Sequence, residues 1–253
     1  MKDLPEADTP GRRVEAEPPP DRMTSVVRSG CRPDQEKRKT TRVFPALFDL
    51  VQWRPMNKLE EMKRIRDEVT VLNGTLADLR RTNGTFPVLG EGSHDAEILF
   101  VGEAPGKNEA TTGRPFCGAA GKILTELVGS IGIEREEVYI TNIVKDRPPE
   151  NRDPFPDEIA LYGPFLERQI KIIQPRVIAT LGRFSMDYVM RMFGLEFEIE
   201  PISRAHGKAY KTETPSGTSL YVVPLYHPAA SIYNRTLRET LDEDVKVLLT
   251  CLI

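Results

Sequence analysis

The chain has 253 residues, a formal net charge of -3 and three cysteines that form no CxxC pair. The length allows one large α/β domain with appendages, while the cysteine pattern excludes a disulfide framework and a four-cysteine metal site. The net charge disfavours a protein that is basic all over. A local basic face stays possible, because the local field steers a charged ligand.

The sequence contains no recognisable targeting or membrane segment. Its N-terminus lacks an apolar signal core, and no apolar run reaches the roughly 20 residues that a transmembrane helix needs. We therefore expect a soluble, cytoplasmic protein that does not bind a membrane.

Residues 1–45 differ in composition from the rest of the chain. They are rich in Pro, Arg, Asp and Glu, and contain a triple proline at 18–20 and a charged run at 36–39. Such a segment cannot bury enough apolar surface to offset the entropy lost on ordering, so it is predicted to be a disordered tail. Its basic residues could contact DNA phosphates, although a solvated tail is the simpler interpretation.

Alternating apolar runs and amphipathic segments predict a folded domain over residues 46–253. One or two helices are expected over residues 59–79. Apolar runs predict buried strands at residues 96–101, 138–140, 176–181 and 221–226. Helical spacing predicts helices at 118–131, 156–174, 183–192 and 236–252, with loops or a hairpin over 195–220. This alternation predicts a three-layer α/β/α domain with a central, mostly parallel four-stranded sheet.

Three of these strands lead directly into short segments that carry polar residues, at 102–106, 141–145 and 227–230. The loops at the carboxyl ends of parallel strands converge on one crevice. Glu103, Asn142 and His227 are therefore expected to meet there, as in an active site.

The glycine-rich segment at 102–106 is weak evidence by itself. It lacks the Lys-Ser/Thr ending of a nucleotide-triphosphate loop and does not match G-x-G-x-x-G. A small-molecule hydrolase is also poorly supported, because the chain has neither a G-x-S-x-G elbow nor the spacing of metal ligands.

The wider pattern is more specific. The first segment continues into GRPFCGAAGK at 113–122, and the second into RPP at 147–149 and NRDP at 151–154. Over residues 68–235 the chain resembles the uracil-DNA glycosylase superfamily, most closely its family 4. The resemblance implies a monofunctional glycosylase that hydrolyses the N-glycosidic bond of deoxyuridine and initiates base excision repair. It would act as a monomer on single- or double-stranded DNA, without cleaving the strand.

The resemblance also implies a pocket for an extruded base, formed by Glu103, Ala104, Phe116, Asn142 and His227. Phe116 would stack on uracil. Asn142 would accept from uracil N3–H and donate to O4, a pattern that cytosine reverses. His227 would donate to O2, where negative charge develops as the bond breaks.

Two glutamates are candidates for orienting the attacking water. Glu103 would line the pocket near uracil C5, where it could also exclude the methyl group of thymine. Glu109 lies on the following loop and could take the water instead, and the sequence does not decide between them. The acidic residue that family members usually carry next is Ala110 here, so any role of that acid is lost.

The resemblance places two DNA contacts outside the pocket. Ser231, Ile232 and Tyr233 correspond to the loop that wedges into DNA, where Ile232 or Tyr233 could fill the gap left by the flipped base; packing on a helix face is an equal alternative. Arg204 and Lys208 lie where relatives approach the backbone, so they are expected to contact phosphates.

Family 4 members commonly hold a [4Fe–4S] cluster on four cysteines, but the corresponding positions here are Val71, Gly74, Asp146 and Tyr162. No cofactor and no metal are therefore expected. We expect apolar contacts, such as Tyr162 against the region of Leu72, to take the place of the cluster.

Two alternatives to a uracil-specific enzyme stay open. The chain could be a non-catalytic module that binds uracil or damaged DNA, or a glycosylase with another base choice, such as hypoxanthine or thymine opposite guanine. The joint presence of Glu103, Phe116, Asn142 and His227 favours the enzyme. Asn142 favours uracil without excluding the other bases.

Overall fold

The structure is a computed structural model that describes residues 57–214 and 217–253. The predicted tail, residues 1–45, lies outside the described residues. Within the described ranges, no helix is long and apolar enough to cross a membrane.

The described chain alternates between helices and strands, as the sequence predicts. The strands are β1 (Glu91–Gly92), β2 (Ile98–Gly102), β3 (Tyr139–Asn142), β4 (Val177–Leu181), β5 (Tyr210–Glu213) and β6 (Ser219–Leu225). The helices are α1 (Lys58–Val71), α2 (Thr75–Asn83), α3 (Lys107–Thr112), α4 (Ala119–Ser130), α5 (Pro156–Ile173), α6 (Arg183–Met192), α7 (Ile202–Ala205), α8 (Arg235–Asp244) and α9 (Val247–Thr250). Short 3₁₀ helices form at Pro149–Asn151, Glu196–Glu198 and Pro228–Ser231.

The six strands form one sheet in the order β1-β3-β2-β4-β6-β5. The four central strands are parallel, which confirms the predicted sheet, and antiparallel β1 and β5 extend its two edges. β5 and β6 form the hairpin that was one of the two expectations for residues 195–220. β1 has only two residues, too few for a period-two pattern to reveal it.

Helices cover both faces of the sheet. Successive side chains of a strand point to opposite faces. Leu99 and Val101 of β2 accordingly pack with residues of α1, α2, α5 and α6, while Phe100 packs with residues of α4, α8 and α9. The result is the predicted three-layer α/β/α arrangement.

Two helical segments depart from single regular helices. Residues 59–79 form α1 and α2, separated at Gly74, whose φ is +152° and where a Cβ would come within 2.8 Å of Leu161. The helix predicted over 236–252 is split into α8 and α9. The split follows Asp244, whose carboxylate lies 2.7 Å from His206 Nδ1.

Candidate active site

The strand register brings the three predicted polar segments to one edge of the sheet. Gly102 at the end of β2 lies opposite Asn142 at the end of β3, and β6 ends two residues before His227. Gly102 also lies against two candidate site residues, Asn142 and Phe116. A Cβ at this position would overlap Asn142 Oδ1 and lie 2.7 Å from Phe116 Cζ. Only glycine therefore lets the amide and the aromatic ring approach each other here.

Asn142 presents an unused hydrogen-bond acceptor beside Gly102. The residue is 1 % exposed, and its Oδ1 has no hydrogen-bond partner among the described residues. Leaving a buried polar atom unpaired costs about 1–3 kcal/mol. Such an atom beside an aromatic ring is well suited to accept a hydrogen bond from a bound ligand.

Phe116 is held in a strained backbone conformation against His227. Its φ is +47°, in the left-handed region that non-glycine residues rarely adopt. The ring is buried, and its centroid lies 5.7 Å from that of the His227 imidazole at an interplanar angle of 32°. The carbonyl of Phe116 packs directly on Gly121, where a Cβ would overlap it. The start of α4 thus fixes the position of the ring.

His227 is set up as a neutral donor through Nε2. Its Nδ1 accepts a hydrogen bond of 3.2 Å from the backbone N–H of Ala229, so the proton of the neutral ring is on Nε2. Burial lowers the pKa of His227, and the carboxylate of Glu109 opposes this only in part. The imidazole is therefore neutral at neutral pH.

Glu109 anchors the loop that carries Phe116. Its Oε1 accepts from the backbone N–H groups of Cys117 (3.1 Å) and Gly118 (3.0 Å), at the N-terminus of α4. A carboxylate is favoured there by the helix dipole. The sequence interpretation missed this role. The signal was Gly118, a capping residue without a side chain that could cap the helix itself.

Glu103 is the less constrained of the two glutamates. It follows β2 and is half-buried, and burial raises its pKa to about 7. Nearby Asp153 raises the pKa further, while Arg183, paired with Asp153 at 2.7 Å, opposes the shift. No side-chain hydrogen bond engages this carboxylate within the described ranges. The carboxylate of Glu103 thus engages fewer hydrogen-bond donors than that of Glu109. Ala104, which follows Glu103, is half-buried.

The segment after His227 exposes two large apolar side chains beside the site. Tyr233 is 98 % exposed and Ile232 is 38 % exposed. Ser231 differs from them, because its side chain is buried and its hydroxyl donates to the carbonyl of Pro228 at 2.8 Å. Ser231 therefore shapes the turn, while Ile232 and Tyr233 are free to contact DNA.

The two predicted phosphate contacts lie in α7 and in the loop that follows it, and they differ in their availability. Arg204 is exposed, whereas Lys208 Nζ is 2.9 Å from Glu200 Oε1 and would have to exchange this partner for a phosphate. The loop is anchored by the contact of His206 with Asp244 and by a backbone hydrogen bond from Gly207 to Pro224.

The four positions that correspond to cluster ligands do not fit an iron–sulfur cluster. None carries a thiolate, and Val71 is 73 % exposed. Across the part of the chain that the structure describes, no group of three or more His, Cys, Asp or Glu residues could hold a metal ion. Asp146 and Tyr162 are instead hydrogen-bonded to each other, with Tyr162 Oη donating at 2.6 Å.

This hydrogen bond belongs to a buried polar clasp, which we define as Arg80, Asp146 and Tyr162. Arg80 pairs with Asp146 at 3.0 Å and also donates to the carbonyls of Val69 and Thr70 at the end of α1. Leu72 packs on the large hydrophobic core to which Tyr162 also belongs. The ion pair between Arg80 and Asp146 was not expected, because the sequence analysis predicted apolar contacts in place of the cluster.

The sequence of this chain matches those of known proteins. A family model of the uracil DNA glycosylase superfamily matches residues 89–248. A type-4 uracil-DNA glycosylase of Archaeoglobus fulgidus is 50 % identical over 169 residues, covering 67 % of this chain and 83 % of the relative. The type-4 uracil-DNA glycosylase of Sulfurisphaera tokodaii is 47 % identical over 189 residues, covering 74 % of this chain and 83 % of the relative. That of Thermotoga maritima is 40 % identical over 192 residues, covering 74 % and 92 %.

Proposed function

Because the chain belongs to the uracil-DNA glycosylase superfamily, we propose that it is a DNA glycosylase that excises uracil by hydrolysing the N-glycosidic bond, leaving an abasic site for base excision repair. The observation that carries this proposal is the unpaired Oδ1 of buried Asn142, between Gly102 and the ring of Phe116. Uracil has a flat face for the ring and an N3–H for the oxygen.

Asn142 supplies selectivity against cytosine. Uracil presents N3–H as a donor and O4 as an acceptor, which match the oxygen and the nitrogen of one amide. Cytosine presents an acceptor and a donor at those positions, so both groups of the amide would be left unpaired, at about 1–3 kcal/mol each. Thymine has the same edge as uracil, and its methyl group is the feature that Glu103 is proposed to exclude.

His227 stabilises the departing base. As the glycosidic bond breaks, negative charge grows on uracil O2, and the Nε2–H of His227 donates to it. Because the imidazole is already neutral, it acts as a fixed hydrogen-bond donor for charge that arises in the transition state. Glu103, in its ionised form, accepts a hydrogen bond from the water that attacks the sugar.

We propose a monomer that acts in the cytoplasm on single- or double-stranded DNA. Exposed Arg204, Ile232 and Tyr233 supply a positive and an apolar contact beside the pocket. A charge that positions the backbone and a wedge that fills the vacated stack are what base flipping needs.

We also propose that the protein works without an iron–sulfur cluster. The polar clasp supports this, because a buried ion pair and a tyrosine hydroxyl already occupy two of the four corresponding positions. They connect α1, α2, α5 and the segment after β3, so they supply the tie between these elements.

The function is tested with labelled oligonucleotides that contain one U, hypoxanthine or T, single-stranded or opposite A or G. After incubation, alkali cleaves the abasic sites. We expect scission only at U, and a loss of roughly 30-fold or more in Asn142→Ala, because two hydrogen bonds of about 1–3 kcal/mol each are lost. Binding of U-DNA without product would indicate a non-catalytic module. Equal scission at another base would indicate a different base choice.

The two glutamates are distinguished by pH. If ionised Glu103 orients the water, kcat/KM should rise about tenfold per pH unit below about 7, because burial raises the pKa of Glu103 to about 7. Glu103→Gln, which keeps one acceptor oxygen, should lower the rate roughly 10- to 100-fold and abolish this limb.

Glu109→Gln is the matched control for this pH profile. It weakens the cap of α4 and lowers the melting temperature, but the acidic limb should persist. A limb that persists in Glu103→Gln and vanishes in Glu109→Gln would assign the water to Glu109 instead.

A further inference from the structure

Lys145 is a fully buried lysine that the proposed chemistry does not use. Its side chain is 0 % exposed, and its Nζ donates to Thr141 Oγ1 at 2.8 Å, to the backbone carbonyl of Asn142 at 2.7 Å and to Gln169 Oε1 at 2.6 Å. None of these three acceptors is a carboxylate. Burying an ammonium group is costly unless its hydrogen bonds are satisfied, so this arrangement requires a reason.

The surroundings are oriented to receive a charged ammonium group. Thr141 donates its hydroxyl proton to the carbonyl of Leu89 at 2.6 Å, which leaves its oxygen free to accept. The amide nitrogen of Gln169 donates to the same carbonyl and to Tyr139 Oη, so its oxygen faces Lys145. Three acceptors match the three N–H groups of an ammonium, whereas a neutral amine has only two. Burial lowers the pKa of Lys145 to about 7. The three hydrogen bonds from Nζ act in the opposite direction, because they stabilise the charged ammonium form.

The lysine acts on the residue that reads the base. The chain stays beside β2 after Asn142, since Ile143 N–H donates to Gly102 and Val144 N–H to Glu103, both at 3.0 Å. Lys145 then turns back and binds the carbonyl of Asn142 itself. The peptide of Asn142 is thus held from two sides, by the sheet and by the ammonium.

We propose that Lys145 is a positioning residue for base selection, whose ammonium, bound to Thr141, Asn142 and Gln169, holds the Asn142 amide in the orientation that reads uracil. This inference rests on the proposed function of Asn142. Lys145 touches neither the base nor the sugar, so its contribution passes entirely through Asn142.

Lys145→Met keeps the length of the side chain and removes its three donors. It should lower kcat/KM at U roughly 10-fold or more, and the double variant Lys145→Met/Asn142→Ala should be no slower than Asn142→Ala alone. Independent losses that multiply in the double variant would overturn the proposal.

A binding experiment separates this inference from the proposed catalysis. In a His227→Ala background, the ratio of Kd values for single-stranded DNA with one C and with one U should fall toward 1 on adding Lys145→Met. Selective binding of U over C that persists in this variant would overturn the positioning role, even if the wild type excises uracil. If the wild type excises nothing but binds U selectively, the proposed function fails and the ratio still tests Lys145.

Tyr162→Phe is the matched control, because it also removes one hydrogen bond from a buried polar network but lies outside the pocket. It should lower the melting temperature and leave the ratio of the Kd values for C and U unchanged. If Lys145→Met does not fold, Thr141→Val removes one of the three acceptors and should lower the ratio in the same direction. An unchanged ratio in a folded Thr141→Val would then overturn the proposal.

Discussion

Replacing His227 with alanine should slow uracil release by a factor of roughly 10²–10³, the usual loss for one hydrogen-bond donor aimed at developing negative charge. Ground-state uracil has little charge on O2, so binding of uracil-containing DNA should change much less than the rate. The neutral form of His227, set by burial and by the hydrogen bond from Ala229, makes it such a donor. Single-turnover rates and Kd values for the same oligonucleotide measure the two effects.

His227→Gln and His206→Ala are the matched controls for this prediction. A glutamine amide can place an N–H near the position of Nε2, so His227→Gln should recover part of the lost rate. His206 follows α7, which carries Arg204, and contacts Asp244, so His206→Ala should weaken DNA binding and leave the single-turnover rate at saturation nearly unchanged. A loss of affinity in His227→Ala that equals the loss of rate would contradict the role of His227.

The position of the segments of Glu103, Asn142 and His227 at one edge of the sheet could be predicted, because it follows from local patterns. Each residue comes directly after an apolar run, and parallel strands bring their carboxyl ends to one edge. The register then places Gly102 opposite Asn142, so the close approach of these two residues is a consequence of strand pairing.

The parts that sequence reasoning missed depend on contacts between distant residues. Arg80 and Asp146 are 66 positions apart, and Gln169 binds Lys145 from 24 positions away. Such pairs leave no periodicity in the sequence. The proposed roles of Glu103 and Glu109 also depend on the fold, because the fold determines which carboxylate faces the N-terminus of α4.

The polar clasp and the site are connected through one short segment. Asn142, Lys145 and Asp146 all lie in the five-residue stretch that begins at the end of β3. Lys145 and Asp146 are both bound to α5, and Asp146 is bound to α2 as well. Gln169 and Tyr162 both belong to α5, so this helix anchors the segment at two points. A loss of the clasp should therefore lower the stability of the domain, while the three hydrogen bonds of Lys145 still hold the segment at Asn142.

Asp146→Ala should lower the free energy of unfolding by about 3–5 kcal/mol, the usual cost of removing one partner of a buried ion pair. It leaves the guanidinium of Arg80 buried without its counter-ion and removes the acceptor of Tyr162 Oη. Burial raises the pKa of Asp146, and Tyr162 and Arg80 oppose this shift, so both partners offset part of the cost of burying the carboxylate. Urea denaturation measures the loss.

The control for this destabilisation is Glu97→Ala, which breaks an exposed pair with Arg176 and should cost less than about 1 kcal/mol. Replacing the whole clasp by Arg80→Met, Asp146→Leu and Tyr162→Phe should recover most of the stability, because no charge is then left unpaired. The wild type should contain no stoichiometric iron, and a chelator should not change its melting temperature. Iron at one cluster per chain, with unfolding on chelation, would mean that a cluster rather than the clasp holds these helices together.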